Sequence, residues 1–231
     1  MPSSSASSPP CVVLTGQRAS PLDGWLRGAG RRVVHIPLLV LVPTLRPPPD
    51  PAPAKTVLLS SSAAVRFGGD LLRQLTIGRR VCVVGERTAQ AAHAAGIEVA
   101  EVADGSGVSL LALIPRGEPA VFVGAARPAL AMSAALAQRP ALSHWAVYDR
   151  SHNPSAGRQL RDAGDVAAVA YTSPAGVGVW VELDARRPFA VAIGGSTARA
   201  LVAAGFRRTV QAERPTPRAL FDAMISGTKS G

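Results

Sequence analysis

An α/β fold of two lobes with parallel sheets is predicted by three features of the sequence. Short apolar runs rich in β-branched residues alternate with Ala/Leu-rich amphipathic stretches, the rhythm of parallel strands covered by helices. Ten such runs are more than one compact sheet of ordinary size would hold. Two segments also recur: residues 57–65, VLLSSSAAV, resemble 169–177, VAYTSPAGV, and residues 81–96, VCVVGERTAQAAHAAG, resemble 190–205, AVAIGGSTARALVAAG. The offsets are 112 and 109 residues, too long for a solenoid, so the same two units recur in two homologous lobes. About five strands per lobe suit a flavodoxin-like sheet.

Taken in order, the first strand is read at 12–15, followed by a helix at 22–30 and a strand at 32–37. The Pro-rich segment 43–53 interrupts the pattern. Strands at 57–60 and 81–84 precede a helix at 88–96, and further strands are read at 98–102 and 120–123. A helix at 127–138 leads to a strand at 144–148, and the next strand is at 166–171. The chain closes with a strand at 190–193, a helix at 196–205, a strand at 209–211 and a helix at 217–226. Gly30, Gly96 and Gly205 each stand where a helix ends, the position at which a left-handed residue closes the last turn.

Residues 11–37 supply only two strands, and the chain after Asp165 supplies only three. Together the two ends make one five-strand sheet, with residues 55–150 inserted as the other. The expected division is a disordered tail at 1–10, a discontinuous first lobe of 11–37 with 152–231, and a second lobe of 38–151. The chain then crosses between lobes near 37–43 and near 149–154, which makes a hinge, with a cleft between the lobes.

Composition excludes several classes. With 231 residues and a hydrophobic fraction of 47%, the chain is an ordinary globular protein rather than a disordered or fibrous one. The greasiest stretch, 36–42, is interrupted by Pro37 and closed by Pro43, so no membrane span is expected. The opening MPSSSASSPP has neither a basic residue nor an apolar core, and neither a secretory signal nor export is expected. Cys11 and Cys82 are far apart, which argues against a disulfide framework or a zinc site and suits a reducing cytoplasm. The net charge is +10, and only Lys55 and Lys229 among the 25 cations are lysine. That arginine excess has two readings, a compositional bias or an anionic partner gripped by guanidinium groups. Nucleic acid is not expected, because the arginines are scattered and only ten aromatic residues are present to stack on bases.

No phosphate loop, HExxH, GxSxG or GxGxxG motif is present, and His35, His93, His144 and His152 are isolated in sequence, so no metal is implied. What remains are strand-to-helix turns rich in small hydroxyl residues: Ser60-Ser61-Ser62, Gly85-Glu86-Arg87-Thr88, Thr172-Ser173-Pro174 and Gly194-Gly195-Ser196-Thr197. In a doubly wound sheet such turns lie at the carboxyl ends of strands, where backbone N–H groups at helix starts can hold anions. The same residue types also cap helices, so a single turn of this kind carries little information. Duplicated turns facing one cleft could embrace one large ligand.

The segments VVGERTAQA at 83–91, VYDR at 147–150, YTSPAGV at 171–177, AIGGSTARAL at 192–201 and AERPTPRAL at 212–220 resemble the uroporphyrinogen-III synthase family, in the family's order. The likeness runs from about residue 11 to residue 226. Three departures stand out. Gly16 lies where an Arg commonly follows the first strand, with Arg18 as a substitute; Gly195-Ser196 replaces a usual Pro-Thr; and Val123-Gly124 replaces a common Arg-Gly, with Arg127 the nearest matching cation.

The resemblance implies that hydroxymethylbilane loses water and closes to uroporphyrinogen III with its last pyrrole ring inverted, in haem biosynthesis, by a monomeric cytoplasmic lyase needing no cofactor. It implies Tyr148 as the residue assisting departure of the hydroxyl, since a phenol is protonated at neutral pH and can donate. It also implies a substrate with eight carboxylates. The expected contacts are Thr15, Arg18, Ser61, Ser62, Arg87, Thr88, Arg127, Ser173, Gly195, Ser196 and Thr197, with Arg150 a further cation at the cleft. The alternative expectation is a degenerate relative that binds an anionic small molecule without catalysis.

Overall fold

A computed structural model describes residues 9–16, 20–50 and 53–228. The expected tail at 1–10 therefore falls mostly outside the described residues, as does Arg18. The chain separates into two compact units, one of residues 1–40 with 151–231 and the other of residues 41–150.

The first unit holds strands β1 (Cys11–Leu14) and β2 (Arg32–His35) with helix α1 (Pro21–Gly28) between them. The second unit opens with β3 (Leu39–Pro43) and continues through β4 (Thr56–Leu59), α2 (Ser62–Thr76), β5 (Arg80–Val83), α3 (Glu86–Ala94), β6 (Glu101–Val102) and α4 (Gly107–Ala112). It ends with β7 (Ala120–Ala125), α5 (Leu130–Ala137) and β8 (Leu142–His152). The chain then returns to the first unit as α6 (Ala156–Asp162), β9 (Val166–Tyr171), α7 (Pro174–Leu183), β10 (Phe189–Ala192), α8 (Gly195–Ala203), β11 (Thr209–Gln211) and α9 (Pro217–Thr228).

The first sheet has the order β2-β1-β9-β10-β11 and all of its pairs are parallel. The second has the order β3-β8-β7-β4-β5-β6, with parallel pairing from β8 to β6. Both sheets are buried on their two faces, as parallel sheets require. In β1, Cys11 and Val13 join one apolar cluster while Val12 and Leu14 join another. In β4, Val57 and Leu59 face one side and Leu58 the other. Each such fully buried Val or Leu contributes about 1.5–3 kcal/mol of burial free energy against the entropy of ordering the chain.

The two sheets are the same arrangement built from a repeat whose parts are exchanged. Taken along the sheet, β8-β7-β4-β5-β6 matches β2-β1-β9-β10-β11 strand for strand. Cys11 corresponds to Val121 and Arg32 to Leu142, each 110 residues further on. The segments that look alike in sequence fold as the same four elements, β4-α2-β5-α3 in one unit and β9-α7-β10-α8 in the other. The opening two strands of each repeat pair with the closing three of the other.

Among the described residues there are eleven strands rather than ten, the additional one being β3. Pro37 and Pro43 bracket it and disguise it as a connection, yet proline is tolerated at an edge, and β3 is the edge of its sheet. Helices α2, α4, α6 and α7 also lie outside the predicted windows. Gly69 interrupts α2 at φ 51°, and α7 carries two glycines and three valines, so neither reads as a strong helix former. Gly30, Gly96 and Gly205 do close α1, α3 and α8, at φ 75°, 74° and 81°. No helix among the described residues is long and apolar enough to cross a membrane.

Candidate functional site

In each unit the predicted residues gather at the carboxyl ends of the strands. In the second unit, Ser60, Ser61 and Ser62 follow β4, and Gly85 to Thr88 follow β5. Ser61 has extended backbone and caps α2, its Oγ accepting from the Ala64 N–H at 3.0 Å. Gly85 stands at the start of α3, whose third helical residue, Thr88, is only 3% exposed. The Thr88 side chain is thus packed inward, and any contact this turn makes with a ligand comes from its backbone N–H groups or from exposed Arg87.

Tyr148 is placed by an irregularity in β8. Gly124 pairs with Ala146 but Ala125 pairs with Tyr148, so β8 bulges by one residue at Val147. Strict alternation would send Tyr148 to the face opposite Trp145 and Val147; the bulge lets all three join the same cluster. On that side α2 receives the ring. Phe67 stacks on it at 5.6 Å between centroids and 28° between planes, and the Tyr148 hydroxyl lies 3.1 Å from Ser61 Oγ. The phenol is 6% exposed and borders a cavity of about 320 Å³, together with Ser60, Gly105, Phe122, Met132 and Arg150.

Gly124 has a steric role beside this cavity. A Cβ there would run into Ser60 Oγ, which donates to the Val123 carbonyl at 2.9 Å, and would crowd Phe122 at 3.0 Å. Arg127, the cation proposed to replace the Arg missing at Val123, is 74% exposed but already engaged. Its Nε donates to both Asp149 oxygens at 3.1 and 3.2 Å and its Nη2 to the Arg150 carbonyl at 2.8 Å. Partial burial would raise the Asp149 carboxyl, but hydrogen bonds from Arg127 and from the Arg150 N–H, with both guanidinium charges, outweigh it and hold the group below the usual carboxylate range. Arg150 is exposed, and its guanidinium, like that of Arg87, pairs with no carboxylate among the described residues.

The first unit repeats the plan with different chemistry. Ser173 caps α7, its Oγ accepting from the Gly176 N–H at 3.3 Å. Gly195, Ser196 and Thr197 form the first turn of α8, where Ser196 is exposed and Thr197 is 1% exposed, matching the inward Thr88. A Cβ at Gly195 would meet Arg199 and Gln211 at 3.5 Å, ordinary contact, so the turn has room for the larger residue usual there. Thr15 is buried and donates to the Ala170 carbonyl at 2.8 Å. A smaller cavity of about 120 Å³ is lined by Thr15, Gly16, His35, Thr172 and Ile193. Thr172 and Ile193 correspond to Ser60 and Val84 of the larger cavity, so both cavities occupy the same place in their units, at the switch point where strand order reverses.

Three features escaped sequence reasoning. Ser60 and Met132 line the larger cavity without belonging to any chemical motif. His35, read as isolated, hydrogen-bonds the Gly16 carbonyl at the smaller one. The signal that could have found it is the pairing of β1 with β2, which sets His35 beside Leu14. Among the described residues no group of three or more His, Cys, Asp or Glu could hold a metal.

A family model described as HEM4, uroporphyrinogen-III synthase HemD, matches residues 20–222. No curated protein matches the chain significantly. Among solved structures, a uroporphyrinogen-III synthetase from Helicobacter pylori is similar, with a TM-score of 0.72 and 15% identity over 94% of this chain and 99% of that one. A mutant uroporphyrinogen III synthase from Thermus thermophilus is similar with a TM-score of 0.58 and 21% identity, over 96% of this chain and all of that one. At these identities the structural likeness speaks to the fold, and the family match carries the rest.

Proposed function

The chain belongs to the uroporphyrinogen-III synthase family, whose model spans residues 20–222 of its 231, and from that premise we propose that it closes hydroxymethylbilane to uroporphyrinogen III with Tyr148 as the proton donor. The observation that supports this assignment is a phenol bordering a cavity of about 320 Å³, its hydroxyl beside Ser61 and its ring fixed on Phe67. Ligand sites in α/β sheets favour this location, beyond the carboxyl ends of the strands.

The cavity is too small for a whole linear tetrapyrrole and takes the ring that bears the hydroxymethyl group. There the C–O bond breaks with its electron pair going to oxygen, which receives the phenolic proton and departs as water. The methylene cation is attacked by the last ring at its substituted carbon. Rearrangement through a spirocyclic intermediate inverts that ring, and the proton lost when the ring regains aromaticity restores the phenol. Tyr148 supplies acid assistance, and positioning of the two reacting ends supplies the isomer choice.

The eight carboxylates of the substrate would be met by Arg87 and Arg150, by Arg18, and by the backbone N–H groups of the turns at Ser61–Ser62, Ser173 and Gly195–Thr197. We assign the reaction to a monomer in the cytoplasm, with a reaction that runs on the substrate and this chain alone. No observation favours the non-catalytic alternative. The test is to supply hydroxymethylbilane from a generating enzyme and separate the product isomers. A type III fraction well above that of spontaneous closure is expected; the type I isomer alone would overturn the assignment.

A further inference from the structure

Resting on the reading of Tyr148 as the donor, we infer that Ser61 is its positioning residue, donating its own proton to the phenolic oxygen so that the Tyr148 proton is left for the substrate. The contact is Ser61 Oγ to Tyr148 Oη at 3.1 Å, and by distance alone either hydroxyl could donate. The other partner of Ser61 decides the direction. Its Oγ already accepts the Ala64 N–H at 3.0 Å. A serine hydroxyl has one proton and two lone pairs, so one lone pair is taken and the proton has no other acceptor among the hydrogen bonds of the described residues. A hydroxyl that accepts a hydrogen bond is polarised into a better donor, whereas a second accepted bond would compete with the first. The favoured chain therefore runs from Ala64 N–H to Ser61 Oγ and from Ser61 O–H to Tyr148 Oη.

That direction has a chemical consequence. When Tyr148 gives up its proton, negative charge develops on an oxygen that already receives a donor aimed at it, and a donor in place before the reaction stabilises such charge without rearrangement. The reverse direction would tie the phenolic proton to Ser61 and make its transfer break a hydrogen bond. Neighbouring groups fix the pair: Phe67 stacks on the phenol from α2, the helix that Ser61 caps, so one element sets both the ring plane and the donor. The duplicated unit shows what is specific here. Ser173 caps α7 with the same geometry, yet among the described residues no tyrosine hydroxyl meets it.

Capping and proton orientation are separated by the choice of substitution. Ser61→Gly removes the hydroxyl and introduces no charge, and glycine is a tolerable N-cap; Ser61→Thr keeps both roles. We expect Ser61→Gly to lower kcat about three- to tenfold, the worth of one directed hydrogen bond, with KM changed less than twofold and the melting temperature nearly kept. Ser61→Thr should retain at least about half of kcat. The decisive measurement is Ser61→Gly made in a Tyr148→Phe background. A residue acting through the phenol has no further effect on kcat once the hydroxyl is gone. An equal loss in both backgrounds, or wild-type kcat in Ser61→Gly, overturns the inference while leaving Tyr148 as donor. Wild-type kcat in Tyr148→Phe removes the donor reading itself, and with it the reason for a positioning residue.

Discussion

Ser61 and Ser173 stand 112 residues apart and perform the same structural act in the two units, each accepting from the backbone N–H three residues on, at 3.0 and 3.3 Å. They differ in their surroundings, since Ser61 also meets the Tyr148 hydroxyl. Alanine at either position should cost about 1 kcal/mol of stability through loss of the cap. Chemical denaturation of the two variants should give similar losses. Turnover at saturating substrate should separate them: Ser173→Ala falls only modestly, because the α7 backbone N–H groups stay in place, whereas Ser61→Ala falls further. A collapse of turnover in a stable Ser173→Ala protein would give its side chain a larger role than capping.

Tyr171, immediately before the Thr172-Ser173 turn, is fully buried and its hydroxyl has no hydrogen-bond partner among the described residues. Trp180 and Phe206 pack edge-on against its ring. Burial pushes its phenol well above the ordinary tyrosine range. A buried, unpaired hydroxyl costs about 1–3 kcal/mol, so Tyr171→Phe should leave the protein as stable as wild type or raise its stability by about 1 kcal/mol. The sign of the pH effect follows from the raised value. Below the unfolded pKa of 10 the phenol is protonated in both states; as pH rises above it, the unfolded chain ionises while the folded one resists. Wild-type stability should therefore fall with increasing alkalinity above about pH 10, and Tyr171→Phe should fall less steeply. Parallel alkaline profiles of the two proteins would show that the hydroxyl has a partner after all.

The cations should be unequal in their service to an anionic substrate. Arg87 and Arg150 are exposed without a carboxylate partner among the described residues, whereas Arg127 is held by Asp149. Alanine at Arg87 or Arg150 should raise KM about two- to fivefold at low salt, the range of an exposed charge pair, and the difference should shrink as ionic strength rises. Arg127→Ala should act differently: it frees Asp149, so the penalty includes a carboxylate newly unpaired beside the cavity. The double variant Arg127→Ala with Asp149→Asn should then recover part of the loss. KM values indifferent to salt and to these arginines would assign the arginine excess to composition alone.

The fold was legible because the repeat preserves its turns: Ser61 and Ser173, and Gly85 and Gly194, start equivalent helices at offsets of 112 and 109 residues. Small residues at helix starts survive where core residues drift, so the turns reveal the duplication better than the strands do. The elements that escaped have local reasons. Strand β3 is bracketed by prolines, and α2 contains a kink at Gly69 that weakens its helical period. The site was legible as residue types at strand ends but not as orientations. Thr88 and Thr197 look like hydroxyls offered to a ligand, yet as the third residues past their caps both turn into the core. Tyr148 reaches Ser61 only because β8 bulges at Val147, and a bulge leaves no mark on a run such as HWAVYDR.

Replacing Tyr148 by Phe distinguishes packing from chemistry, because the ring contributes to the first and the hydroxyl to the second. The ring stacks on Phe67 and belongs to the core cluster of its unit, and Phe retains both contacts. The hydroxyl makes one hydrogen bond, to a serine that keeps its cap bond to Ala64 when the phenol is lost. Stability should thus change by no more than about 1 kcal/mol. Acid assistance is typically worth about 10²–10⁴-fold, and less for a good leaving group, so turnover should fall at least about tenfold with KM little altered. The residual product should remain mainly the type III isomer, since inversion of the ring depends on how the two reacting ends are held rather than on the phenol. Isomer analysis beside single-turnover rates checks both halves of this expectation. A slow variant yielding mostly type I would move Tyr148 from proton donor to a determinant of ring placement, and a variant as fast as wild type would leave it a packing residue.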